Sequence, residues 1–543
     1  MHLTRFLVLK LLKYNFFNKI LFYSIYTFYL KEKEKIKLNY FKEKFDIFDE
    51  EKNQKNLCLF NNLFSARSSE TISFYVFILN IFKFNNLRPA IFSSFKFLSL
   101  IKSSNIKALP PLLSFNSLLY NQVPKFRSFN EIKKYKWKKI SCGIFALSST
   151  FRELKSEEFN LKNFNHLKIF EKNLNKSISY VEAFNNFFNN NKVGAAVFSD
   201  PGYVGQGEMF EILTNKNIPC YQFFMSIDEN KIIFKKYLKK NQREHFDKIS
   251  DKNWNRLSKK KNNQKQLKNS LNNIKKLYLK NNWFPSVGTT RSEKFYSKKN
   301  IYKILKIDKS KPTAVIFNHI FWDGTFFYGK DAFATYREWF LETIKIANKN
   351  NNLNWIIKPH PANKVQNLRD GVDENFTEEE KIIKKTFGFM PNNLKILKNN
   401  NKINSWSLYQ ILDYCVTIRG TPGIESALFG AETIITGSGR YENRGFTKYF
   451  KNKNSYLKYL SKLTNFHQKK SSAVKNATLY ADSVFFKKPM SLNSISVKFK
   501  NNKTADMDLK IKFNSQKEFL KNKDTINLIS WINSGNEEFY LDN

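Results

Sequence analysis

The sequence predicts an α/β protein built from two β/α lobes. Two observations carry this reading. From 313 to 437 short apolar runs alternate with amphipathic segments, and around 193–224 a separate strand–loop–helix–strand unit can be read. Alternating β and α elements imply a parallel sheet with helices on both faces. In such sheets ligands bind beyond the carboxyl ends of the strands.

Taken in order, residues 1–130 show weak periodicity and no chemical motif, and are read as an N-terminal extension. Within it, 6–30 is apolar and aromatic but broken by Lys10, Lys13 and Lys19. A spanning helix needs about 20 mostly uncharged residues, so an amphipathic helix on a membrane surface or a packed aromatic helix is expected. The apolar run at 71–82 is too short to span. Residues 131–290 form the first lobe, with strand VGAAVF (193–198), loop SDPGYVGQG (199–207), helix EMFEILTNKN (208–217) and strand IPCYQFF (218–224). A Lys/Asn/Gln-rich helical connector covers 240–282.

Residues 291–470 form the second lobe. TAVIFNHI (313–320), NWIIKPH (354–360), LKILK (394–398), YCVTIR (414–419) and ETIITG (432–437) read as strands. Helices are expected at 331–349, 407–412 and 423–430, the first from the apolar stripe Phe333, Tyr336, Phe340, Ile344 and Ala347. Residues 471–543 read as an irregular, polar C-terminal extension.

Composition narrows the function. A chain of 543 residues accommodates two to four domains at about 100–200 residues each. The net charge is +46, and positive charge attracts nucleic acid and anionic lipid alike. Here the lysines are scattered through the chain among Asn, Ile, Phe and Tyr, the signature of A- and T-rich codons. No nucleic-acid partner is therefore expected, and an anionic membrane face is the partner left for any charge that acts. Cys58, Cys142, Cys220 and Cys415 lie far apart without a CxxC pair. That spacing argues against a zinc site and a disulfide framework and for a reducing compartment. A cytoplasmic place is expected, either free or peripheral on the cytoplasmic face of the inner membrane.

The chemistry-bearing residues stand at strand ends. In Lys358-Pro359-His360-Pro361 two prolines force a rigid exit, and a cation beside an imidazole suits a departing phosphate. Arg419-Gly420-Thr421-Pro422-Gly423-Ile424-Glu425 joins a strand to a helix. Its glycines allow close approach of a ligand, the helix start would offer N–H groups to an anion, and Arg419 adds a bidentate donor. Glu425 would either cap that helix or accept from a sugar hydroxyl. Ser438 and Arg440 lie in a cationic loop after the next strand, and His319 and Asp323 follow the first strand of the lobe. In the other lobe Asp200 ends a strand, where a general base for an acceptor hydroxyl would sit. No carboxylate pair accompanies the phosphate motifs, so no metal or cofactor is expected. Asp506-Met507-Asp508 has a DxD pattern but lies in the tail and is set aside.

With these residues in view, the run Phe317–Thr447 resembles bacterial capsule polysaccharide biosynthesis proteins. The resemblance is carried by NHIFWDGTFFYGKD, YREWFLETIKIA, NWIIKPHPAN and SLYQILDYCVTIRGTPGIESALFGAETIITGSGRYENRGFT, and more weakly by VFSDPGYVGQGEMFEIL. It implies two Rossmann-like lobes of the GT-B type. It also implies a sugar transferred from a nucleotide-activated donor to a glycan or lipid-linked acceptor without an essential metal. In related families, capsule Kdo transferases among them, the histidine of an HP motif contacts the donor phosphate, a role that maps onto His360. The catalytic base maps onto Asp200. Glycerophosphotransferase-like transfer of a phosphoalcohol, or a non-catalytic role in polysaccharide assembly and export, stays open at this point.

Overall fold

The computed structural model describes residues 32–541 except 49–55, 62–67, 93–96, 110–123, 157, 228–229, 260–263, 280–294, 324–325, 364–366, 368–372, 374, 399–402 and 500–506. The stretch 6–30, Gly324 and Asp506 lie outside the described residues.

Two mainly parallel sheets organise the chain. The first contains β1 (Asn56–Asn61), β2 (Leu87–Phe92), β3 (Lys107–Leu109), β4 (Val193–Phe198), β5 (Cys220–Met225) and β6 (Lys231–Tyr237). The second contains β7 (Thr313–Phe317), β8 (Asn354–Lys358), β9 (Leu394–Ile396), β10 (Tyr414–Thr417), β11 (Glu432–Ile435) and β12 (Thr447–Tyr449). Three further strands, β13 (Met490–Ser491), β14 (Ile495–Phe499) and β15 (Met507–Ile511), follow. The sheet orders are β13-β6-β5-β4-β1-β2-β3 and β12-β11-β10-β7-β8-β9, with β14 and β15 as a separate antiparallel pair.

The first lobe begins much earlier than 131. Strands β1 to β3 come from the segment read as an extension, and Leu57 pairs with Val193 of β4. These strands are three to six residues long, too short to show a period, and β1 joins them to the sheet only through β4, more than a hundred residues later. The apolar run near 71–82 is the core helix Ser69–Lys83, buried almost all round, as a helix without a polar face must be. The tail is structured as well. β13 pairs with β6, and Leu528, Trp531 and Ile532 of helix Lys523–Ser534 pack in the first lobe's core.

In the second sheet β11, β10, β7 and β8 run parallel side by side, with Phe317 opposite Lys358 and Val416 opposite Ile316. Their carboxyl ends therefore form one rim. The helix expected over 331–349 starts at Tyr336. Thr335 caps it by accepting from the Glu338 N–H at 3.0 Å, and the Glu338 carboxylate accepts from Ala334 N–H. That leaves Asp331 outside the helix, bridged to Gly437 in an extended pair.

The lobes are pinned together by segments from both. Phe326 and Phe327, which follow β7, insert into the core of the first lobe. Gly329 N–H donates to Arg243 O at 2.7 Å and His245 N–H to Gly439 O at 2.8 Å. Among the described residues no helix is long and apolar enough to cross a membrane.

Candidate functional site

The rim of the second sheet gathers the predicted residues. His319, His360 and Arg419 each stand two residues past the end of their strand, and Arg440 follows β11. His319 lies on Tyr336 with ring centroids 4.9 Å apart, and its Nε2 is 3.2 Å from Thr417 Oγ1. Burial, reinforced by His360, Arg419 and Arg440, holds the His319 pKa well below the usual imidazole value, so it is neutral at pH 7. The same influences place these four side chains in one neighbourhood. His360 Nδ1 accepts from Ala362 N–H at 3.2 Å, so the ring proton of its neutral form sits on Nε2, which is then a donor.

Arg419 is the centre of the rim. It is 4% exposed and forms a hydrogen-bonded ion pair with Asp331 through Nη2. Its Nε and Nη1 are buried with no hydrogen-bond partner among the described atoms. Burial opposes the charge, but Asp331 outweighs it, and the guanidinium is held above its ordinary pKa. Gly437 makes the pair possible, because a Cβ there would lie 2.7 Å from Asp331 Oδ1 and 2.8 Å from Arg419 Nε.

Several predicted residues serve the rim from behind. Lys358 Nζ donates to Ile403 O at 3.3 Å. The helix Pro422–Ala427 is a single short stretch, and its first amides are already used. Gly423 N–H donates to Gly420 O, and Ile424 and Glu425 N–H donate to Thr421 O. The N–H groups expected to face an anion thus close the turn itself. Gly423 is required by packing, since a Cβ would lie 2.3 Å from Tyr441 Oη, which donates to Gly420 O. Glu425 is 3% exposed and accepts from Tyr409 Oη at 2.9 Å, an inward contact. Ser438 Oγ accepts from Lys330 N–H and donates to Lys330 O.

Arg440 is occupied elsewhere. Its Nε and Nη2 bind both oxygens of Asp247, Nη1 donates to Arg419 O at 2.8 Å, and Nη2 also reaches Thr421 Oγ1 at 3.0 Å. This pair locks the connector to the rim. Burial disfavours the Asp247 carboxylate, but Arg440 and His245 outweigh it and hold its pKa far below the carboxylate range. A depressed carboxylate contributes stability above its unfolded pKa of about 3.9 and loses it as pH falls through the folded value, so the contribution is complete at neutral pH. Asp247→Asn strands a buried guanidinium. It is expected to lower unfolding free energy by about 3–5 kcal/mol, measured by chemical denaturation at pH 7.

The first lobe supplies the facing wall. Asp200 ends β4 by the same two-residue rule, and 43% of its side chain stays accessible. Its N–H donates to Gln206 Oε1 at 3.0 Å, and its Oδ1 receives a long contact from Gly202 N–H at 3.4 Å. Surrounding protein raises the carboxyl's pKa above the ordinary value, against the pull of Arg152. Asp323, from the second lobe, is bound by first-lobe groups: Arg152 Nη2 at 2.6 Å and Tyr203 Oη. Tyr336 senses Arg419, Asp331 and Asp323 together, so the rim and the segment carrying Asp323 share one electrostatic neighbourhood.

Lys133, Arg152, Asp247 and Asp331 were not singled out in the sequence. Lys133, from the first lobe, lies 5.7 Å over the Phe326 ring and feels Asp331, Glu338 and Arg419. Nothing in the sequence separates it or Arg152 from the 92 basic residues of the chain. Among the described residues no group of three or more His, Cys, Asp or Glu side chains is arranged to hold a metal ion.

No protein-family model and no curated protein matches this chain. Similar solved structures include the Thermosulfurimonas dismutans KpsC β-Kdo 2,4 transferase, at 11% identity and a TM-score of 0.31 over 62% of this chain and 87% of that one. They also include Anabaena HepE in complex with UDP and glucose, at 9% identity and a TM-score of 0.28 over 78% of this chain and 94% of that one. A UDP-GlcNAc 2-epimerase from Neisseria meningitidis, bound to UDP-GlcNAc, is similar at 13% identity and a TM-score of 0.23, over 78% and 96% of the two chains.

Proposed function

We propose that this chain is a glycosyltransferase that moves a sugar from a nucleotide-activated donor to a hydroxyl of a glycan or lipid-linked acceptor. The observation that carries the reading is Arg419: a buried guanidinium with two nitrogens, Nε and Nη1, whose N–H groups are unanswered. It stands on a rim with His319 and His360, and a carboxylate from the other lobe stands at a strand end. A buried donor without a partner is costly, and a phosphate oxygen would satisfy it.

In this mechanism Arg419 and the Nε2–H of His360 bind the phosphate and neutralise the charge that grows on it as the anomeric C–O bond breaks. Fixed donors stabilise that charge without reorganising. Asp200 takes the proton of the acceptor hydroxyl as its oxygen bonds to the anomeric carbon. The raised pKa of Asp200 makes it a stronger base than an ordinary carboxylate. The resemblance of 317–447 to capsule proteins supports a surface polysaccharide as the product.

Purified protein challenged with a panel of nucleotide sugars and glycan acceptors tests this. Consumption of one donor with release of its nucleotide is expected, and a folded protein that neither binds nor consumes any of them overturns it. The charge is proposed to be met by protein cations alone. Transfer should therefore survive EDTA and not increase with added magnesium or manganese. Loss on chelation, restored by either ion, would move that role to a metal.

A further inference from the structure

One cation in the cleft is divided between two acids of different lobes. Arg152, on helix Cys142–Leu154 of the first lobe, lays its guanidinium on the Tyr203 ring, 3.7 Å from the centroid. Its Nη2 is 2.6 Å from Asp323 Oδ1 and 3.6 Å from Asp200 Oδ2. The first distance is a charge-assisted hydrogen bond, and the second is an ion contact without one. Tyr203 Oη donates to the same Asp323 oxygen, which fixes that carboxylate beside the guanidinium. Asp323 belongs to the segment that carries Phe326 and Phe327 into the first lobe's core, so its position depends on how the lobes meet.

We propose that Arg152 is a positioning residue shared by Asp200 and Asp323, and that the docking of the second lobe, by drawing Arg152 onto Asp323, leaves Asp200 free to act on an acceptor. This rests on the reading of Asp200 as the base. If Asp323 is withdrawn, Arg152 loses its hydrogen bond and, still lying on the Tyr203 ring, can close the gap to Asp200, where it would occupy the oxygen that an acceptor hydroxyl needs. The charged and titratable groups facing Asp200 are Arg152 from its helix, Asp323 from the second lobe, Tyr203 on its own loop, Tyr328 beyond Asp323, and Tyr75 from helix Ser69–Lys83. Arg152 favours the carboxylate, as the Gly202 N–H does, and Asp323 opposes it. The tyrosine hydroxyls are pushed well above their ordinary value, chiefly by burial, and stay neutral.

The test titrates Asp200 directly in full-length protein carrying 13Cγ-labelled aspartate, with its signal assigned by its loss in Asp200→Asn. Asp323→Asn removes a repelling charge and releases Arg152, so the Asp200 midpoint should fall by about 1 pH unit or more. Arg152→Gln removes the attracting charge, so it should rise by about the same amount. Midpoints unchanged in both variants, or moved the other way, overturn the proposal. The pH–rate profile separates this from the transferase reading. If the midpoints move as expected and the acid limb of kcat/KM moves with them, both stand. If the midpoints move but the limb stays fixed, the sharing of Arg152 holds and Asp200 is not the base.

Discussion

Asp200→Asn is expected to lower the turnover of sugar transfer by about 10²–10⁴-fold, the range that a positioned general base supplies. The substitution is nearly isosteric, and the amide oxygen can keep the contact with Gly202 N–H. Arg152 retains its stronger bond to Asp323, so the fold and the lobe contact should survive. What is lost is the ability to take a proton. Affinity for the donor should change little, because the groups assigned to its phosphate lie on the opposite rim. The buried acid Glu208, whose pKa burial raises to about 7, is not a substitute base. It is fully enclosed and accepts from Ser177 Oγ and Gly205 N–H. Steady-state kinetics of the variant decide the matter, and turnover within a few-fold of the natural protein would place the base elsewhere.

Where apolar runs alternate with helices along the chain, the fold could be read. Strands β7, β8, β10 and β11 appear as apolar runs separated by helices or loops, and the residues just past them, His319, His360 and Arg419, fall on one rim because parallel strands share an end. Asp200 stands just past β4 by the same rule. The edge of the first sheet was not legible, because β1 joins β4 across more than a hundred residues, and β2 and β3 join the sheet only through β1. Arg440 shows the limit from the other side. It follows a strand as Arg419 does, yet its guanidinium is taken by Asp247, 193 residues earlier. Whether a cation is spent on the fold or left for a ligand depends on such distant partners, and strand-end position alone does not tell.

That distinction leads to the second large effect, at Arg419. Replacing Arg419 alone would strand the buried Asp331, and a lone buried charge costs about 3–5 kcal/mol, so lost activity could merely report lost folding. The informative variant is Arg419→Gln combined with Asp331→Asn, which removes both charges and keeps polar groups of similar size. Neutral replacement of a buried ion pair is often tolerated, and the denaturation midpoint checks that it is here. With the fold retained, kcat/KM for the nucleotide-sugar donor should fall by about 100–1000-fold, as when a preorganised donor to a developing oxyanion is removed. Asp331→Asn alone strands the Arg419 guanidinium and should cost stability on the same scale. Where the fold holds, it takes away the carboxylate that competes with phosphate, so affinity for the free nucleotide should hold or increase. Isothermal titration with nucleoside diphosphates measures that affinity. If the double variant binds and turns over donor like the natural protein, the unanswered N–H groups of Arg419 do not face the phosphate, and the rim loses its assigned role.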